Sequence, residues 1–69
     1  MATGTLEWLS RKRGFGYISP DSGGTDLVVH RSGIDAESYQ TLAAGDRVRY
    51  RHRLGETSAE AVDVTRLAG

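Results

Sequence analysis

The stretch RKRGFGYI, residues 11–18, places three cations directly before two aromatic residues that are separated by glycine. Successive side chains of a β-strand point to opposite faces, so Phe15 and Tyr17 share one face while Gly16 and Ile18 share the other. Glycine lets a strand bend within a small barrel. If Ile18 faces the barrel interior, both aromatic rings lie outside. The alternative is a slipped register in which the rings fill the core.

Short apolar runs with a period of two, broken by glycine and polar clusters, continue along the chain and predict five strands. The predicted strands cover residues 4–9, 15–19, 26–30, 46–54 and 59–67. Turns are expected at residues 20–24 and 55–58. The connection 31–45 holds one helical candidate, residues 35–42, which is too short to anchor a helical layer. Five short strands leave too many open edges in a flat sheet, so we expect an all-β, small five-stranded antiparallel barrel.

The composition fits one small domain over residues 1–69. The chain has 38% hydrophobic residues, no cysteine and a formal net charge of zero. Disulfides and thiolate metal sites are therefore excluded, and no segment resembles a signal peptide or a membrane span. We expect a cytoplasmic monomer with no cofactor, no metal, no small-molecule substrate and no membrane partner.

Two further strands contain candidate surface residues. In LVVH, residues 27–30, the first and third side chains are expected inside the barrel and Val28 and His30 outside. His30 can join an aromatic surface, although a lone histidine at a strand end is more often simply solvated. Trp8 follows Leu6 by two residues, so in a regular strand both side chains point to the same face. One of them can be in the core and the other on the surface only if a bulge intervenes. From the pattern alone, Trp8 is either the main core anchor or the largest surface ring.

The order of these motifs resembles the cold-shock domain family. The matching segments, in order and spacing, are GTLEW (4–8), RGFGYI (13–18), DLVVH (26–30) and LAAGDRVRY (42–50). The RNA recognition motif uses a similar glycine-aromatic segment, but its shorter apolar motif comes first and its fold needs two helices. The resemblance covers essentially the whole chain. It implies an OB-fold barrel that binds single-stranded RNA or DNA and has no catalytic residues.

The resemblance also implies roles for individual residues. The positions that match base-stacking residues of the family are Trp8, Phe15, Tyr17 and His30, with Tyr39 as a further aromatic in the long loop. This places Trp8 on the surface and favours the bulge. Arg13 matches a basic residue of the central motif, and Lys12 is a second candidate. Arg31 departs from the family, because it stands where an aromatic residue often follows the histidine, but it can compensate by stacking its guanidinium plane or by neutralising phosphate. The role of Arg11 stays open.

Several positions depart from the family pattern. Glu7 stands where lysine is typical, and Leu9 and Val28 stand where phenylalanine is typical. Stacking contributes about 1 to 3 kcal/mol per base, so fewer aromatic rings predict weaker binding than in a fully aromatic member.

The fourth predicted strand, DRVRYRHRL, puts Val48, Tyr50 and His52 on one face and four arginines on the other. The arginines can follow a nucleic-acid backbone, or they can be the solvated outside of an edge strand. We favour the second interpretation, because the family binds mainly through its first three strands.

The predicted function is passive binding of single-stranded nucleic acid, as an RNA chaperone or a regulator of transcription or translation. The alternative is a protein-interaction barrel that has lost part of its nucleic-acid surface. An enzyme is disfavoured, because the two histidines lie on different predicted strands, the chain has no cysteine, and the sequence around His30 does not indicate the cluster of serines or carboxylates that a general base would need.

Overall fold

Five β-strands form a closed barrel in the computed structural model, which describes residues 2–55 and 59–67. The strands are β1 (Ala2–Ser10), β2 (Phe15–Pro20), β3 (Leu27–His30), β4 (Arg47–Leu54) and β5 (Ala59–Arg66). Around the barrel their order is β1, β2, β3, β5 and β4, and β4 pairs again with β1. The predicted five-stranded barrel is confirmed. Residues 56–58 of the predicted turn lie outside the described residues.

One ladder of the barrel departs from the expected antiparallel pairing. β3 and β5 are parallel, with Val28 beside Glu60 and Val29 beside Ala61. Parallel neighbours need a long crossover connection, and the chain between β3 and β5 supplies it because it includes all of β4. β4 itself pairs with both β1 and β5, so it is not the edge strand that we expected from its arginines.

The barrel interior is filled by hydrophobic side chains, mostly aliphatic, from every strand and from the connection after β3. The buried hydrophobic residues are Leu6, Ile18, Leu27, Val29, Ile34, Leu42, Val48, Tyr50, Ala61 and Val64. The predicted inward faces of β2 and β3 are therefore correct. On β4, Val48 and Tyr50 are buried, whereas His52, nearer the end of that strand, is exposed.

A bulge in β1 separates two residues of the same parity. Leu6 is opposite Ile18 on β2, but Trp8 is opposite Tyr17, so Glu7 is an extra residue on the β1 side. Leu6 is consequently fully buried, while 44% of Trp8 is exposed. This arrangement confirms the bulge and the surface position of Trp8.

A second bulge lies between β4 and β5. Arg49 is opposite Thr65 and Arg51 is opposite Val62, so the β5 strand carries one residue more than β4 in this interval. Asp63 lies there with φ of +52°, a left-handed conformation that aspartate tolerates better than most residues. The extra residue breaks the period of two, which is why Ala61 and Val64 both face the core.

The connection between β3 and β4 contains a 3-10 helix (Arg31–Gly33) and one short helix, α1 (Ala36–Thr41). The carboxylate of Asp35 caps α1 by accepting a hydrogen bond from the Ser38 backbone N–H at 3.1 Å. The Ser38 hydroxyl in turn accepts from the backbone N–H of Arg66, which ties α1 to the end of β5. The helix lies within the predicted range, and no helix in the described residues is long and apolar enough to span a membrane.

Replacing Gly16 by alanine should destabilise the fold, because β1 passes directly over this position. A Cβ atom at Gly16 would lie 2.3 Å from the carbonyl oxygen of Trp8 and 3.1 Å from the Cα of Leu9. We expect Gly16→Ala to lower the free energy of unfolding by about 1 to 3 kcal/mol, the usual range for overpacking, as measured by urea unfolding.

Gly33→Ala is the matched control for Gly16→Ala. The nearest atom to a Cβ at Gly33 is the carbonyl oxygen of Ala61 at 3.4 Å, an ordinary contact, and the backbone there does not require glycine. This variant should stay within about 0.5 kcal/mol of the wild type or become slightly more stable. Equal stability of the two variants would contradict the close approach of β1 to Gly16.

Candidate nucleic-acid interface

Three aromatic rings lie in mutual contact on the outside of β1 and β2. The ring centroids of Trp8 and Phe15 are 5.3 Å apart, those of Trp8 and Tyr17 are 5.8 Å apart, and those of Phe15 and Tyr17 are 5.9 Å apart. These separations are typical of interacting aromatic pairs, so the rings hold one another in place. We call this group the aromatic platform.

The aromatic platform is open to solvent. Trp8 is 44% exposed and Tyr17 is 40% exposed, whereas Phe15 is partly buried between its neighbours. Large aromatic side chains usually enter the core of a small domain, and here Ile18 and Gly16 face inward instead. The alternative register, with the rings inside the barrel, is therefore wrong.

β3 extends the platform side of the barrel with two outward residues. His30 is directly opposite Phe15, and Val28 is directly opposite Tyr17. The His30 ring is exposed, and its Nδ1 lies 3.0 Å from the hydroxyl of Ser32 and accepts from the Ser32 backbone N–H. The 3-10 helix that follows β3 therefore restrains the orientation of the His30 ring.

Three exposed cations flank these strands. Lys12 and Arg13 lie in the β1–β2 loop (residues 11–14), and Arg31 begins the 3-10 helix. The backbone N–H of Arg31 donates to the carbonyl of Gly14 at 2.8 Å, which brings Arg31 next to the end of that loop. None of the ion pairs found within the described residues involves these three cations, so their charges face solvent.

Tyr39 has different surroundings from the residues of the aromatic platform. It belongs to α1 rather than to an irregular loop, and its ring is partly buried against the core. The guanidinium carbon of Arg11 lies 4.9 Å from the centroid of the Tyr39 ring. The Tyr39 hydroxyl is buried and makes no hydrogen bond within the described part of the chain. Contact between Tyr39 and a ligand stays a prediction.

Two of the departures from the family pattern have different consequences. Leu9 is partly buried and packs against the core, so it fills space inside the sheet and does not leave a gap in the platform. Glu7 is exposed at the β1 bulge beside Trp8, which puts one negative charge next to the aromatic surface. The sequence indicates Leu9 as a missing stacking residue; the structure places it partly buried against the core, and its effect on binding stays a prediction.

Three of the four arginines of β4 are neutralised by acidic partners. Arg47 pairs with Asp21, Arg51 with Asp63 and Arg53 with Glu60, at N–O distances of 2.5, 3.0 and 3.4 Å. Arg66 on β5 pairs with Asp46 at 3.0 Å in the same way. The face of β4 and β5 thus presents ion pairs rather than a continuous positive track, which supports the solvated interpretation of these arginines.

Asp21 is the most strongly perturbed carboxyl in this set. The hydrogen bonds from Arg47, one of them at 2.6 Å, and a second contribution from the Thr3 hydroxyl lower the pKa of Asp21 from 3.8 to about 2. A carboxyl whose pKa is lower in the folded state than in the unfolded state stabilises the folded state at pH values above the unfolded pKa. This stabilisation is lost as the pH falls from about 4 to about 2.

A known protein family matches nearly the whole sequence. A sequence model described as the 'Cold-shock' DNA-binding domain matches residues 2–67. The chain belongs to the cold-shock domain family.

Curated cold-shock relatives cover most of the chain. Cold shock-like protein CspA of Vibrio cholerae is 42% identical over 65 residues, which are 94% of this chain and 93% of that protein. Cold shock protein ScoF of Streptomyces coelicolor is 37% identical over 65 residues, with 94% and 97% covered. Glycine-rich protein 2 of Nicotiana sylvestris is 48% identical over 65 residues, but the match spans only 30% of that longer protein.

A solved structure supports the fold independently of sequence. The solved structure of drosophila Unr CSD456 matches with a TM-score of 0.80, over 97% of this chain and 26% of that chain. The sequence identity is only 20%, so this likeness supports the cold-shock barrel fold and not a shared ligand.

Removing the Arg47 side chain should raise the pKa of Asp21. We expect Arg47→Gln to return the pKa of Asp21 from about 2 toward 3.8, as measured by NMR titration of the carboxyl carbon. The wild type should also lose more stability than this variant between about pH 4 and pH 2, because only the wild type has the strongly lowered pKa.

Arg51→Gln is the control for this titration, because Arg51 lies on the same strand but pairs with Asp63 rather than with Asp21. It should leave the Asp21 titration unchanged. A wild-type Asp21 that titrates near 3.8 would contradict the Arg47 contact.

Proposed function

We propose that this cold-shock domain binds single-stranded RNA or DNA on the face formed by β1, β2 and β3. The observation that carries the proposal is the aromatic platform, three contacting rings of which two are about 40% exposed or more. Exposed rings beside cations are suited to stacking unpaired bases while the cations contact phosphates.

Each part of the surface has a distinct role in this proposal. Trp8, Phe15, Tyr17 and His30 stack bases, while Lys12, Arg13 and Arg31 contact the phosphates. Stacking on aromatic faces tolerates any base, because every base has a π-face. Double-stranded regions do not offer such bases, so binding favours the single-stranded state of the nucleic acid.

The same mechanism supports the more specific role of an RNA chaperone or a regulator of transcription or translation. Holding a strand unpaired disfavours hairpins without consuming an energy source. Because the described surface acts by stacking and charge alone, we propose a binding role without catalysis.

The expected affinity is moderate. Val28 offers no aromatic ring where it faces Tyr17, and Glu7 adds a negative charge beside Trp8. Both features reduce binding relative to a surface with an aromatic residue and a lysine at these positions.

Binding should also weaken as the salt concentration rises. If the three cations neutralise three phosphates, the slope of log K against log salt should be about −2, from about −0.7 per phosphate.

Titration with an oligonucleotide of thymidine or uridine should quench the fluorescence of Trp8, the only tryptophan in the chain. Phe15→Ala and Tyr17→Ala should each weaken binding by about 1 to 3 kcal/mol, the usual contribution of one stacked base. Leu54→Ala is the control, because Leu54 is 80% exposed but lies at the end of β4.

The Leu54 variant should bind as the wild type does. Absence of quenching by either oligonucleotide at low salt would overturn the proposal and favour the protein-interaction alternative. Quenching with no dependence on salt would contradict the role of the three cations.

Val28→Phe should tighten binding by up to about tenfold, equivalent to about 1.4 kcal/mol. The new ring would stand opposite Tyr17 and enlarge the aromatic platform. Val28→Leu adds hydrocarbon without a π-face and should leave the dissociation constant nearly unchanged. An equal gain from both variants would mean that hydrophobic area, not stacking, limits binding at Val28.

A further inference from the structure

Arg11 differs from the other cations of its loop in what it contacts. Its two terminal nitrogens, Nη1 and Nη2, donate to the backbone carbonyls of Tyr39 and Leu42. The guanidinium carbon also lies 4.9 Å from the centroid of the Tyr39 ring. The side chain of Arg11 therefore bridges the β1–β2 loop and the carboxyl end of α1.

The end of α1 has a specific need for this contact. The last carbonyls of a helix lack partners within the helix and carry partial negative charge, so a cation close to them is stabilising. α1 has no basic residue in its own last turn. Arg11 supplies the missing cation from a distant part of the sequence, and its planar guanidinium can reach two carbonyls at once.

The contact bears on the proposed binding surface because Arg11 starts the loop that joins the two platform strands. Trp8 lies just before this loop on β1 and Phe15 directly after it on β2. Inside the loop, the backbone N–H of Gly14 donates to the Ser10 carbonyl at 2.8 Å, and that of Arg13 donates to the Ser10 hydroxyl at 3.1 Å. These bonds fix the loop internally, and Arg11 fixes it to the body of the protein.

We propose that Arg11 is a positioning residue, which holds the β1–β2 loop against α1 so that Lys12 and Arg13 are set beside the aromatic platform before the ligand arrives. This inference rests on the proposed function. Ordering a flexible side chain or loop during binding weakens affinity, so a loop that is already fixed binds more tightly. Arg11 itself, engaged with two carbonyls and a ring, does not contact phosphate.

The positioning role predicts an unusual pair of results for two substitutions. Arg11→Lys keeps the charge and Arg11→Gln removes it, but both lose the planar group that bridges two carbonyls and covers the Tyr39 ring. Both should therefore weaken binding of the thymidine oligonucleotide to a similar extent, about two- to tenfold. The salt slope of both variants should equal that of the wild type, because no phosphate contact is lost.

Lys12→Gln is the matched control. Lys12 is the next residue of the same loop, and its charge faces solvent. Its loss should reduce the magnitude of the salt slope by about 0.7, the value for one phosphate. The contrast between neighbours separates positioning from direct electrostatic contact.

Amide hydrogen exchange provides a second measurement that needs no ligand. In Arg11→Lys, the amides of Arg13 and Gly14 should exchange faster than in the wild type, while those of the buried residues Ile18 and Val29 should not change. Binding is compared well below the melting temperature of each variant, so that partial unfolding does not enter the dissociation constants.

The outcomes distinguish the two proposals. A wild type that does not bind either oligonucleotide overturns the proposed function and this inference with it. A wild type that binds, together with Arg11→Lys that binds equally well and exchanges equally slowly, overturns the positioning role alone. A salt slope reduced by about 0.7 in Arg11→Gln but not in Arg11→Lys would instead assign Arg11 to a phosphate.

Discussion

The bulge in β1 is the constraint on which the rest of the molecule depends. It turns Leu6 into the core and Trp8 out to solvent, although in a regular strand the two side chains would point to the same face. The strand can follow this path only because Gly16 lets the carbonyl of Trp8 come close to β2. One inserted residue on β1 and one missing side chain on β2 thus create both a filled interior and an exposed aromatic surface.

The basic residues of this small domain differ in their surroundings, which the net charge does not reveal. The formal net charge is zero, yet the arginines fall into groups with different surroundings. Those of β4 and β5 are mostly paired with carboxylates, Arg11 is engaged with the end of α1, and the cations nearest the platform face solvent. A count of basic residues would therefore overestimate the charge that a nucleic acid encounters on most of the surface.

Much of the barrel could be predicted from the sequence, because inward and outward residues alternate clearly in β2 and β3. The outward position of Phe15 and Tyr17 follows from Ile18, whereas the pattern left Trp8 open between core and surface and only the family resemblance favoured a bulge. The extra residue at Asp63 left no comparable signal, since Val62 and Val64 look like an ordinary inward pair. The parallel pairing of β3 with β5 depends on the path of the whole chain, which local patterns do not encode. The contacts of Arg11 and the partial burial of Leu9 likewise depend on neighbours distant in sequence.

Two ladders of the barrel join residues that are far apart in the sequence. Ala2 pairs with Tyr50, and the parallel ladder pairs Val29 with Ala61. Contacts between such distant residues slow folding, because a long stretch of chain must be ordered before they form. During synthesis, the first three strands emerge with every residue of the aromatic platform, but without the partners that complete the barrel. The aromatic platform consequently rests on a barrel that is complete only when β4 has paired with β1 and β5 with β3.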